Sequence, residues 1–154
     1  MAGKKIIYHC YGGAHSSVVA AAIHLGKLDT QRIPEAQELL ALTLFDRQTQ
    51  AGHGQLHFFG FDEGKNEVYS VGCRNVGDMM EKFLTEIAQI LGFSGDLFFV
   101  DTLHCVNLRM RIGGYLSRRL GLVPLGRPLV VAGTRAAYPR LAALVQKVKA
   151  QVLT

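Results

Sequence analysis

The sequence has no tryptophan and, among its 154 residues, only three cysteines and four prolines. An odd number of widely spaced cysteines excludes a disulfide framework and is typical of proteins in a reducing compartment. No C-x-x-C pair is present, and the sequence predicts no native metal site. The apolar content of 49% and the charged content of 19% are those of a globular domain and exclude a largely disordered chain.

Long hydrophobic segments are also lacking. The longest purely apolar run, residues 18–23, is far shorter than the roughly 20 residues that cross a bilayer. Lys4 and Lys5 precede an apolar stretch, as in a secretory signal, but polar residues and glycines soon interrupt that stretch. We therefore expect a cytoplasmic protein with no membrane association.

Acidic residues are absent after Asp101. Residues 1–101 carry a net charge of −4, whereas residues 102–154 contain nine Lys and Arg and carry a net charge of +9. This asymmetry predicts an anionic partner for the C-terminal third, either a phosphate-containing small molecule or an acidic protein. The alternative is that these charges only solvate two surface helices. Aromatic residues do not alternate with the basic ones and no nucleic-acid motif is present, which disfavours nucleic acid as the partner.

The length is that of one domain, residues 1–154, in which short apolar runs alternate with helical patterns. The predicted strands are Lys5–Cys10, 56–61, 67–71, Leu97–Asp101 and 128–132, the second and third forming an antiparallel hairpin. The predicted helices are 16–25, a second beginning at Pro34, 80–91, 107–120, and a last one opening at Pro139. This order predicts an α/β fold, namely a single-domain three-layer sandwich with a mainly parallel sheet and an inserted antiparallel hairpin.

Ligands of such sheets bind beyond the carboxyl ends of the strands, which would gather segments 10–17, 101–105 and 132–135 along one rim. The first of these segments carries the best local signal. Gly12 and Gly13 let the backbone bend, Ser16 and Ser17 add hydroxyl groups, and the start of a helix adds unpaired amides. These features suit a bound phosphate. The alternative is a tight strand-to-helix turn that serines cap and that binds no ligand.

The same segment resembles a phosphate loop that contains a cysteine. Cys10, Gly13 and Ser17 match the C-x-x-G-x-x-x-S pattern of low-molecular-weight tyrosine phosphatases and of sugar-phosphotransferase IIB components. In those families the cysteine takes a phosphoryl group. Ser16 stands where the phosphatases have an arginine that clamps the phosphoryl oxygens. An arginine of residues 107–120 or Arg135 would supply the missing clamp, and Arg111 is our candidate.

A second phosphate loop is similar in part. Ala14, His15 and Ser16 occupy the places of the final Gly, Lys and Ser or Thr in the nucleotide-binding pattern G-x-x-x-x-G-K-[ST]. The predicted strand Leu97–Asp101 looks like the companion apolar strand whose aspartate helps to hold magnesium. Asp101 is therefore a candidate for orienting a metal ion or a polar group.

Longer stretches of the sequence resemble one family over nearly the whole chain. They are YHCYGGAHSS (8–17), FVDT (99–102), RIGG (111–114), SRR (117–119) and GRP (126–128). The combination resembles a small bacterial family, catalogued only as domain of unknown function 3189 and associated with spore-forming bacteria. The resemblance implies a stand-alone cytoplasmic protein, and it implies no activity, substrate, cofactor or catalytic residue.

The leading hypothesis is a protein that binds a phosphate group of a nucleotide or a phosphorylated metabolite. The candidate ligand-binding residues are Gly12, Gly13, Ala14, His15, Ser16, Ser17 and Arg111. One alternative is a phosphoryl-transfer enzyme, with Cys10 or His15 as nucleophile or acid/base and Asp101 assisting. Another is a non-enzymatic regulatory module whose basic C-terminal third docks an acidic protein. The sequence does not decide whether the protein is an enzyme, and it names no cofactor.

Overall fold

The computed structural model of the protein describes residues 3–92 and 97–152. Four strands form one mixed sheet: β1 (Lys5–Cys10), β2 (His57–Phe61), β3 (Glu67–Gly72) and β4 (Leu97–Asp101). The strand order is β2-β3-β1-β4, so β1 lies between β3 and β4, and it runs parallel to both. Strand β2 pairs with β3 as the predicted antiparallel hairpin, and β4 is a half-buried edge strand.

The helices within the described residues are α1 (Ser16–His24), α2 (Ala36–Ala41), α3 (Gly77–Ile90), α4 (Leu108–Gly114) and α5 (Val123–Val152). A π-helical turn, Tyr115–Arg119, continues α4, and short 3₁₀ turns occupy Gln50–Gly52 and Leu103–Cys105. Among the described residues, no helix is both long enough and apolar enough to cross a membrane. This includes α5, which has 30 residues.

Alternate side chains of β1 enter two separate apolar clusters. Ile6 and Tyr8 pack with residues of α1, α2 and α5, whereas Ile7 packs with Val71 and Cys73 beneath α3. Successive residues of a strand point to opposite faces, so helices cover the sheet on both sides. The predicted three-layer α/β architecture is thereby confirmed.

The predicted helix 107–120 is confirmed as α4 and its π-helical continuation. Asn107 begins it, since the Asn107 side chain accepts a hydrogen bond of 3.0 Å from the amide of Met110. Gly121, with φ +68°, ends it. The helix predicted to begin at Pro34 starts two residues later, where the backbone amide and side chain of Glu35 exchange hydrogen bonds with Glu38.

The predicted last strand, 128–132, is wrong, and so is the prediction that Pro139 opens a new helix. Both segments lie inside α5, and the sheet has four strands rather than five. Segment 132–135 therefore does not lie at the carboxyl end of a strand. A short apolar run does not distinguish a buried helix from a strand by periodicity alone.

Contact between the backbones of α4 and α5 accounts for the helical conformation of 128–132. A Cβ on Gly113 would lie 2.6 Å from the amide nitrogen of Val130, and one on Gly126 would lie 2.4 Å from the amide nitrogen of Ser117. A Cβ on Gly133 would lie 2.8 Å from the amide nitrogen of Met110. Residues 126, 130 and 133 share one face of a helix. Close helix packing thus offsets the loss of the backbone donor at Pro128.

Candidate functional site

The loop that follows β1 lies directly on the end of β3. Gly13 has φ +67°, and a Cβ there would lie 2.6 Å from the backbone nitrogen of Gly72. A Cβ on Gly72 would likewise lie 2.6 Å from the carbonyl carbon of Gly12. Two backbone hydrogen bonds of 2.9 Å fix the same contact, Cys73 N to Cys10 O and Arg74 N to Tyr11 O. Glycine is therefore required on both sides of this contact.

A row of backbone amides surrounds the start of α1. Within the described ranges, none of five amides donates to a backbone carbonyl: those of Gly12, Ala14, His15, Ser16 and Ser17. The N-terminal end of a helix carries a partial positive charge because its first amides have no partner inside the helix. All of these residues except Ser17 line a cleft of about 620 Å³. The arrangement is suited to binding an anion.

The hydroxyl of Ser16 serves the fold. Its Oγ lies 2.8 Å from Oγ1 of Thr102, and Thr102 in turn donates to the carbonyl of His9 over 2.7 Å. Because the Thr102 hydrogen is already engaged, Ser16 donates to Thr102. The hydroxyl hydrogen of Ser16 is thus engaged within the fold, whereas its backbone amide donates to no backbone carbonyl of the described residues.

The sulfur of Cys10 also lies at this point. Cys10 Sγ accepts a hydrogen bond of 3.1 Å from the amide of Gly13 and lies 3.1 Å from Oγ of Ser17. Cys10 is almost fully buried, yet it forms part of the cleft wall. Gly13 and Ser17 lie behind that wall and hold the sulfur. These two contacts fix the position of the sulfur at the start of α1.

A buried carboxylate, Asp46, joins the loop to α4 and α5. Asp46 accepts hydrogen bonds from Nε2 of His15 (3.0 Å), from Oγ of Ser117 (2.7 and 2.9 Å) and from Nε of Arg127 (2.9 Å). Nε of Arg118 lies 3.2 Å from the same carboxylate. The amide of Asp46 donates to the carbonyl of Ala14 over 3.0 Å. Burial alone would raise the pKa of Asp46, but hydrogen bonds from His15, Ser117 and Arg127 hold it at about 2.

Asp46 holds His15 and Arg118, two side chains of the cleft, in fixed positions. The sequence around Asp46 carries no motif that would have marked this residue. Its backbone is left-handed, with φ +53°, which is uncommon for any residue but glycine. That conformation depends on the fold and could not be anticipated from the sequence.

The cleft is strongly basic. Its described lining includes no Asp or Glu, but it includes two histidines and four arginines: His15, His53, Arg74, Arg111, Arg118 and Arg119. Arg111 and Arg119 form no ion pair with any described residue, whereas Arg118 forms an ion pair with Asp46. Nε of Arg74 donates to Nδ1 of His53 over 2.8 Å, and burial together with Arg74 lowers the pKa of His53. Arg74 was not among the predicted site residues.

Asp101 lies apart from the cleft lining. Its carboxylate accepts a hydrogen bond of 2.7 Å from the amide of Leu103 and lies 3.1 Å from Nε2 of His104, both within its own turn. Arg135, another arginine considered as a phosphate clamp, lies in α5, where it approaches Glu35 at 3.5 Å. Of the predicted site residues, the fold thus gathers Cys10, the loop and Arg111 but not Asp101.

His9 and His57 are engaged outside the cleft. His9 stacks on Phe99 with ring centroids 4.4 Å apart, and burial lowers its pKa despite the nearby Asp101. His53 and His57 are four residues apart, but neither lies in a helix, and Nε2 of His57 contacts Gln48. In residues 3–92 and 97–152, no group of three or more His, Cys, Asp or Glu could hold a metal ion.

Buried His24 bridges β1 and the β2–β3 turn. Its Nδ1 lies 2.7 Å from the hydroxyl of Tyr8, and its Nε2 lies 3.1 Å from Asp62. Burial lowers the pKa of His24 and raises that of Tyr8. His24 therefore has a structural role, since it joins α1 to β1 and to the β2–β3 turn.

The fold and the cleft together define an α/β protein with a basic cavity at the N-terminus of its first helix. Comparison with known proteins places the chain in one family. It belongs to the family described as protein of unknown function (DUF3189), whose model matches residues 5–150. The chain has no significant match among curated proteins or among solved structures.

Proposed function

We propose that the protein binds a phosphate group of a nucleotide or a phosphorylated metabolite in the cleft at the start of α1. One observation carries this proposal: four residues whose amides have no backbone acceptor line a cavity that has four arginines and no carboxylate in its described lining. Charged oxygens satisfy free amides better than water does in a partly enclosed site.

Each part of the cleft has a role in this proposal. The amides of Gly12, Ala14, His15 and Ser16 hold the phosphoryl oxygens. Arg111 clamps the anion from α4, taking the place of the arginine that low-molecular-weight tyrosine phosphatases carry next to their serine. Asp46 fixes the walls of the site because it holds His15 and the neighbouring α4 arginine.

Removal of the clamp tests this arrangement. We expect Arg111→Ala to weaken phosphate binding by about 1.5–3 kcal/mol, the usual contribution of a hydrogen bond to a charged group. In the wild type, phosphate at 100 times its dissociation constant should raise the free energy of unfolding by about 2.7 kcal/mol. Titration calorimetry and thermal unfolding measure the two effects.

The control for this prediction comes from the same helix. Arg109 is exposed and lies outside the cleft lining, so Arg109→Ala removes the same charge without touching the site. If Arg111 clamps the anion directly, only Arg111→Ala should weaken phosphate binding, and it should do so at high salt as well. Equal weakening by both substitutions at low salt only would show a diffuse positive field instead. An absence of any phosphate, sulfate or nucleotide effect on unfolding would contradict the proposal itself.

A second candidate function is phosphoryl transfer to Cys10. The contacts of its sulfur with the Gly13 amide and the Ser17 hydroxyl favour this candidate. In the step we propose, the thiolate attacks the phosphorus of a phosphomonoester, an S–P bond forms, and the P–O bond breaks. The departing alkoxide takes a proton from solvent and leaves as the alcohol. Water then attacks the phosphorus, which releases inorganic phosphate and returns the electron pair to sulfur.

Selective alkylation tests the reactivity of Cys10. Burial raises the pKa of Cys73 to about 11 and also raises that of Cys105, so both should react slowly with iodoacetamide at pH 8. We expect Cys10 to be modified first, and phosphate to protect it, because Cys10 lines the proposed site. Peptide mass spectrometry locates the label, and Cys10→Ser is the control. If Cys10 is the slowest of the three, the sulfur belongs to the core and the transfer step is wrong.

The other alternative is a regulatory module that docks an acidic protein through the basic residues after position 101. In the structure these basic residues lie in different places. Of the basic residues after position 101, three line the cleft, and Arg127 pairs with buried Asp46. Reversal of charge at Arg118, Arg119 and Lys147 would abolish capture of an acidic partner if this alternative were correct.

We also propose that the protein is located in the cytoplasm of a spore-forming bacterium.

A further inference from the structure

The cleft is larger than a phosphate group needs. Its volume of about 620 Å³ lies within the roughly 300–1,000 Å³ in which proteins enclose organic ligands. The free amides occupy only the end at which α1 starts. The rest of the cavity therefore has room for a part of the ligand other than its phosphate.

An apolar wall faces this remaining space. Leu103 and Val106 line it from the segment that joins β4 to α4, and Met110 lines it from α4 itself. Next to them stands Tyr115, whose residue surface is 53% exposed. Tyr115 makes no side-chain hydrogen bond or ring contact with the described residues, so one face of its ring is available. Planar heterocycles stack on such exposed aromatic rings.

The charge of the cleft exceeds that of a single phosphate. Three of its arginines, Arg74, Arg111 and Arg119, have no carboxylate partner in the described part of the chain. A phosphate monoester carries about −1.5 to −2 at neutral pH, which leaves part of this positive charge unmatched. A second phosphate adds further negative charge and further oxygens for guanidinium groups to bind.

We infer that the ligand of the cleft is a nucleoside diphosphate. This inference rests on the proposed function and specifies its ligand. One phosphate binds the amides at the start of α1, and the other binds Arg111 and Arg119. The base stacks on Tyr115 against the apolar wall. Thr49, Gln50 and Asn75, which also line the cavity, supply polar groups for the ribose and the base edge.

Calorimetric titration separates the parts of the ligand. We compare inorganic phosphate, pyrophosphate, AMP, ADP and GDP at one salt concentration. ADP and GDP should bind at least about tenfold more tightly than AMP because they carry the second phosphate. They should also bind about tenfold more tightly than pyrophosphate because only they carry a base that stacks.

Variants of Tyr115 test the base contact. Tyr115→Ala should weaken ADP binding about tenfold and leave pyrophosphate binding unchanged, whereas Tyr115→Phe should retain the wild-type affinity for ADP. Phe83→Ala removes an exposed aromatic ring from α3, outside the cleft lining, and is the matched control. Thermal unfolding of each variant shows that it is folded.

The outcomes distinguish this inference from the proposed function. If phosphate and pyrophosphate bind but the nucleotides bind no more tightly than pyrophosphate, the diphosphate inference is overturned and the proposed function stands. Equal losses for ADP and pyrophosphate in Tyr115→Ala would also overturn it. If none of the five compounds binds, the proposed function fails as well.

Discussion

Asp46→Asn is expected to lower the free energy of unfolding by about 3 kcal/mol, because it leaves Arg118 and Arg127 beside a neutral group in a buried network. The lower end of the usual 3–5 kcal/mol range applies, since both arginines keep some contact with water. In a chain of this size the melting temperature should fall by about 6–12 °C. His15 and Arg118 also lose the group that positions them, so anion binding should weaken together with stability.

The contribution of Asp46 depends on pH in a direction that its pKa fixes. The pKa of Asp46 lies at about 2 in the folded protein, below the ordinary value of 3.8. As pH falls, the unfolded chain therefore takes up this proton first, and protonation favours unfolding. The stabilisation by Asp46 is complete above about pH 4 and is lost as pH falls from 3.8 towards 2.

Urea unfolding of the wild type and Asp46→Asn at pH 6, 3 and 2 measures this effect. The difference in unfolding free energy should be largest at pH 6 and should shrink towards pH 2, while the other carboxylates cancel within the pair. Glu86→Gln, an exposed carboxylate on α3, is the control and should change stability by less than about 0.5 kcal/mol. A difference that stays constant down to pH 2 would show that Asp46 is not the ionised centre of the network.

Local sequence patterns were sufficient for most of the fold. The apolar run Lys5–Cys10, the hairpin around 62–66 and the strand Leu97–Asp101 each carry their own boundary signals, and each is confirmed. The segment 128–132 fails because its helical conformation comes from Gly113, Gly126 and Gly133, where two helices touch at the backbone. Contact between segments that are distant in the chain decides this case, and apolar periodicity does not show it.

The sequence likewise predicts one part of the candidate site, the loop 10–17, but not the part that long-range contacts assemble. Residues 10–17 are contiguous, so glycines, serines and the start of a helix predicted their shape from the sequence alone. Asp46 contacts His15, Ser117 and Arg127, which are 31, 71 and 81 residues away in the chain. No spacing rule connects these positions. Asp101 shows the converse, since a strand that ends in aspartate looked like half of a nucleotide site, whereas in the structure Asp101 contacts Leu103 and His104 and lies outside the cleft lining.

Gly13→Ala should abolish phosphate binding and destabilise the protein more than Gly26→Ala does. Both glycines are left-handed, with φ values of +67° and +68°, so both alanines bring the same backbone strain of about 1–2 kcal/mol. Gly26 faces open space, with no atom within 4 Å of an added Cβ. At Gly13 the added Cβ would lie 2.6 Å from the backbone nitrogen of Gly72, and β3 holds that atom in place.

The difference between these two variants isolates the contact of the loop with β3. To admit the Cβ, the loop must move away from β3, at a further cost of about 1–3 kcal/mol, as in other overpacked sites. This movement takes the Gly13 amide away from Cys10 and turns the free amides at the start of α1 out of the cleft. Urea unfolding measures the cost and calorimetry with pyrophosphate measures the binding, which Gly26→Ala should leave at the wild-type level. If Gly13→Ala matches Gly26→Ala in both measurements, the anion does not bind to the backbone of this loop.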